Sequence, residues 1–129
     1  MDLSLVAAEY LLRARRTLKE AKIAFDDGDL YYTVIRVLDT IENLSKVILT
    51  LNNKYNFNLY WNGIILDNKN ELEIKIKNLE IKLLPILLIN ESALKTPSVI
   101  IRNKEAEMLL DEVTKIFDEV EKLYDEYHN

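Results

Sequence analysis

Asp39, Glu42 and Lys46 place two carboxylates and an amine on one side of a predicted helix, at offsets of three and four residues. Such a set is a candidate ligand-binding site, and it is equally the pattern of an exposed Glu42–Lys46 pair worth roughly a few tenths of a kcal/mol. The exposed pair is the commoner arrangement. Arg15, Lys19 and Lys22 form a basic stripe on the preceding helix. It is suited to tracking phosphates or to lying against an acidic helix, within the bundle or across a dimer, and the second use is expected. Arg13 and Arg16 are weaker candidates for contact with a ligand.

Other chemistries lack their residues. The only histidine, His128, is the penultimate residue, and chain ends fray, so serine or cysteine nucleophiles activated by an imidazole are not expected. There is no cysteine, which excludes disulfides, thiolate catalysis and cysteine-ligated metals. The two glycines, Gly28 and Gly63, cannot build a phosphate-cradling loop, and the acidic tail lacks the glycine and oxygen spacing of a calcium loop. No metal site and no cofactor is expected. Tyr31 and Tyr32, and the group Tyr55, Phe57, Tyr60 and Trp61, are stacking platforms for bases or anchors of the core. The anchor role is favoured by the apolar area each ring can bury.

Positioning these residues falls to helices. The spacing of Ala7, Leu11, Ala14, Leu18, Ala21 and Phe25 predicts a first helix from Asp2 or Ser4 to about Phe25, stopped by Gly28. Val34, Leu38, Ile41, Ser45 and Ile48 repeat the pattern from about Leu30 to Asn52, and together the two runs predict an antiparallel hairpin. An asparagine-rich, aromatic loop follows from Asn53 to Gly63. Residues 72–84 alternate like a strand at Leu72, Ile74 and Ile76, yet Leu72, Ile76, Leu79 and Leu83 keep helical spacing. A helix capped by Asp67 or Asn70 is expected, because a lone strand would have no partner. Pro85 is expected to kink or end it, with a short further helix from Ile86 to Leu94. Ala106, Leu109, Leu110, Val113, Ile116, Phe117, Val120, Leu123, Tyr124 and Tyr127 mark a last amphipathic helix.

A chain of 129 residues with 49% hydrophobic and 30% charged residues makes one core without staples, so residues 1–129 are read as a single domain. The expected fold is all-α, an up-and-down bundle of four to five antiparallel helices. The net charge of −5 disfavours indiscriminate adhesion to nucleic acid. That charge is uneven: from Lys104 onward nine acids stand against three lysines, whereas the first helix carries five bases against Asp2, Glu9 and Glu20. Neither a signal peptide nor a membrane span is expected, which points to a cytoplasmic protein.

The run Ala8 to Leu51, with Ala14, Leu18 and Ala21, the Gly28-Asp29 turn, and Glu42 and Lys46 ahead of Leu49, resembles the opening hairpin of HEPN-domain proteins of bacteria and archaea. Lys104-Glu105-Ala106-Glu107-Met108-Leu109-Leu110 resembles the start of that family's final helix. Many members resemble metal-independent RNases, in which an arginine followed by a polar residue precedes a histidine at a dimer interface. Arg102-Asn103 matches the opening of that motif. The histidine is then expected near Glu107, Met108 or Leu109, where none stands. Acid–base help typically worth about 10²- to 10⁴-fold is therefore missing, and the resemblance implies a non-catalytic copy. Such members look like homodimeric modules that bind a nucleotide or RNA, or a minimal nucleotidyltransferase partner, some in toxin–antitoxin systems. The alternatives are an RNase in which acidic residues serve Arg102 in place of histidine, and a structural adaptor whose last helix docks on a partner. Candidate contacts are Asp39, Glu42 and Lys46 with Arg102 and Asn103, then Arg13 and Arg16.

Overall fold

The computed structural model describes residues 3–51, 71–93 and 101–127, with side chains for 4–51, 71–86 and 101–127. They form four helices: α1 (Leu3–Asp26), α2 (Leu30–Leu51), α3 (Glu71–Ala93) and α4 (Asn103–Tyr127). At 1.5 Å per residue each is roughly 33–38 Å long, so they pack along matched lengths.

The α1–α2 turn follows directly from two residues. Gly28 has φ of 80°, a left-handed conformation that a Cβ makes costly. There its amide donates to the Phe25 carbonyl at 3.0 Å and the Asp29 amide donates to that of Ala24 at 2.9 Å, the two bonds of a Schellman motif. Asp29 then opens α2, its Oδ1 accepting from the Tyr32 amide at 3.1 Å. Replacing Asp29 by alanine should lower stability by about 1 kcal/mol in urea denaturation, since a first-turn amide loses its acceptor.

The four helices run up and down around a single core. Three alanines spaced by seven, Ala7, Ala14 and Ala21, are fully buried on α1 and let α2 approach closely along its length. Thr40 Oγ1 meets Thr17 Oγ1 at 2.9 Å across that junction, and Arg36 reaches Glu20 at 3.1 Å, which sets the antiparallel register. Among the described residues α2 and α4 touch each other and both outer helices, while α1 and α3 do not meet. The cross-section is thus a rhombus with α2 and α4 on its short diagonal. That central place explains why α2 buries polar as well as apolar faces. Thr33, Ser45 and Thr50 return their hydroxyls to carbonyls of their own helix at 2.7–2.9 Å, so their burial leaves no donor unpaired.

Helix, not strand, is the conformation of the ambiguous segment: Ile76, Leu79 and Leu83 are buried together while Ile74 is exposed. Pro85 does not end α3, and no separate helix begins at Ile86; one helix continues to Ala93. The reason lies on the outer face. Pro85 and Ile81 are both exposed, so the proline sits on the solvent side of α3, where its missing hydrogen bond is least costly. Tyr127 departs from the buried stripe of α4 and is 55% exposed, at the frayed end of the helix. Ser4 lies inside the first turn of α1. The proposed caps Asp2, Asp67 and Asn70, the aromatic group at 55–61, and His128 lie outside the described residues.

Candidate functional site

α2 and α3 meet along a seam that carries the acidic residues of both. On α2, Asp39 is half-buried and its Oδ2 accepts from Arg36 Nη1 at 2.8 Å; that bond is the main reason the guanidinium is raised above its usual value. Glu42 and Lys46 follow on the same side, but no ion pair joins them among the described residues. Lys46 instead turns its Nζ over the ring of Tyr10, 5.3 Å from the centroid. Glu42 is half-buried, and its carboxyl is held above the ordinary glutamate range first by burial, then by the charge of Asp39, with Lys46 pulling the other way.

Facing Glu42 across the seam is Glu80 of α3, only 8% exposed. Burial pushes its carboxyl up and the charge of Glu42 pushes it further, against a weaker opposing pull from Lys77. Its Oε2 is buried and accepts no hydrogen bond among the described residues. Composition and periodicity alone missed Glu80. A usable clue was its position: Glu73 and Glu80 are spaced by seven and flank Ile76 and Leu83, places where a core-facing helix ordinarily carries apolar residues.

The remaining candidates divide. Arg13 joins the α2 group through a shared ring: its guanidinium lies 5.3 Å from the Tyr10 centroid, with its Nε 3.2 Å from Glu9. Arg16 is exposed on α1 and has no ion pair among the described residues. Arg102 and Asn103 are exposed at the start of α4, where the Arg102 carbonyl accepts from the Ala106 amide at 3.1 Å and buried Ile101 pins the approach. They do not reach the seam. Lys75 bonds Glu119 and Lys82 bonds Glu112, which puts Glu80 level with about residue 114 of α4, roughly 18 Å along the axis from Arg102. Glu107 and Met108 are exposed, whereas Leu109 is buried in the core.

Arg15 is drawn into the bundle. Its guanidinium pairs with Glu121 of α4 and stacks 5.7 Å from the Phe117 ring, so the basic stripe lies against the acidic last helix at this point. Lys19 and Lys22 are exposed. Tyr31 packs against the core with its ring edge-on to Tyr32, 6.1 Å away, while Tyr32 is 50% exposed beneath Arg36.

Chemically, the seam gathers three carboxylates, with Arg36 tied to Asp39 and Lys46 turned to the Tyr10 ring. Among the described residues no group of three or more histidines, cysteines or acids is arranged to hold a metal ion. No described helix is long and apolar enough to cross a membrane. No family model, no curated protein and no solved structure matches the chain.

Proposed function

We propose that this chain is a non-catalytic helical binding module of the HEPN type that engages a protein. The resemblance of its hairpin and last helix names a minimal nucleotidyltransferase, in a toxin–antitoxin-type arrangement, as that partner. The observation that carries the choice of a protein over a nucleotide or RNA is the carboxylate seam at Asp39, Glu42 and Glu80, which disfavours phosphate where the candidate residues gather. A homodimer belongs to the same proposal. Leu5 and Leu12, 70% and 54% exposed and one heptad apart on α1, supply an apolar face for it.

Affinity purification of the tagged chain from its own cells is the test. Stoichiometric recovery of a nucleotidyltransferase supports the proposal, whereas recovery of RNA with no protein overturns it. No histidine follows Arg102 at the spacing of the RNase motif, which adds a second expectation: purified chain leaves labelled RNA intact. RNA turnover that disappears in Arg102→Ala would establish the RNase reading instead. Because the Arg102 side chain is exposed, this substitution should change the stability by no more than about 0.5 kcal/mol.

A further inference from the structure

We propose that the α2–α3 seam is the docking groove for a basic amphipathic segment of the partner, whose guanidinium is taken up between Glu42 and Glu80. This rests on reading the chain as a protein-binding module.

The first ground is an unmet electrostatic demand. A carboxylate 8% exposed with an oxygen that accepts no hydrogen bond is costly, and here a second half-buried carboxylate faces it. One cation between them relieves burial and repulsion together. The chain's own cations near the seam are engaged elsewhere: Arg36 with Asp39 and Glu20, and Lys46 with the Tyr10 ring. Lys75 and Lys82 are on the other flank of α3, paired with Glu119 and Glu112 of α4. Lys77 lowers the Glu80 carboxyl from a distance without a hydrogen bond to it. A guanidinium suits this pair better than an ammonium, because its planar fork donates to two carboxylates at once.

The second ground is the apolar border. Leu84 stands one turn beyond Glu80, and Ile81 and Ile74 are the residues immediately outside Glu80 and Glu73; they are 43%, 65% and 43% exposed. A helix apolar on its outer face as well as its inner one calls for cover. An amphipathic segment meets both demands, with its apolar residues on this stripe and its arginine in the seam. Nucleic acid meets neither.

The test uses the full chain and an amphipathic helical peptide of leucine, alanine and arginine, with a twin in which every arginine is citrulline. Wild-type chain should bind the arginine peptide at least about tenfold more tightly than does E42Q/E80Q, and the citrulline twin should lose affinity by a similar factor. D118N/D125N on the outer face of α4 removes the same charge and should bind as wild type does. Binding should tighten as pH rises through the elevated carboxyl range, since the cation displaces protons. Equal binding by E42Q/E80Q, equal binding of the citrulline twin, or an equal loss in D118N/D125N would each overturn the assignment. If the peptide fails while the nucleotidyltransferase still co-purifies, only the seam assignment falls; if no nucleotidyltransferase co-purifies but the peptide result holds, only the partner's identity falls.

Discussion

Ile41→Ala will lower the free energy of unfolding by about 2–5 kcal/mol, the range for truncating a fully buried aliphatic side chain. Ile41 has no exposure and sits midway along α2, the helix in contact with all three others. Close packing around it comes from three directions, so the walls of the resulting cavity cannot collapse without dragging two interfaces apart. The cost should therefore fall toward the upper part of that range. Leu49→Ala, 5% exposed near the end of α2, should cost less. Urea denaturation followed by far-ultraviolet circular dichroism measures both. A loss for Ile41→Ala below that for Leu49→Ala would show that the middle of α2 is not its most tightly packed part.

Glu80→Met will act in the opposite direction, raising stability at neutral pH by about 1–3 kcal/mol. An unbranched apolar side chain of similar length removes a buried charge without opening a void. The pH dependence has a definite sign. The Glu80 and Glu42 carboxyls lie above their ordinary value of 4.5 in the folded chain, so between that value and the raised one the folded state binds more protons than the unfolded. The stability these groups contribute is complete below about 4.5 and is lost as pH climbs through the raised values. The gap between Glu80→Met and wild type should thus be widest at neutral pH and shrink as pH falls toward the ordinary glutamate range. Thermal unfolding across a pH series reads it directly. A gap that widens on acidification would mean that Glu80 is held by an attractive partner instead of being repelled by Glu42.

Much of the fold was legible in single helices. The hairpin followed from apolar spacing in α1 and α2 with Gly28 between them, because period and chain reversal are local properties of the backbone. The buried stripe of α4 was equally plain as far as Val120. That α3 runs on past Pro85 was not legible, because the cost of a proline depends on whether its stretch of helix faces solvent or core, and here Pro85 is exposed. In the candidate site, Asp39, Glu42 and Lys46 were correctly placed on one side of α2. The distance of Arg102 from them was hidden, since it depends on the antiparallel register of α3 and α4 fixed by Lys75 and Lys82.

The amino-acid order alone determined that the first, second and last amphipathic segments are helical, where the first reverses into the second, and that no histidine follows Arg102 closely in the chain; each depends on covalent identity and on interactions within a few residues. Only the tertiary structure decided that α2 and α4 share the centre, that Arg15 is tied to Glu121, and that Glu80 is buried against Glu42. Those outcomes turn on how each helix is rotated about its axis when their apolar stripes compete for one core. A charge is thereby driven inward when the residues flanking it have more apolar surface to bury.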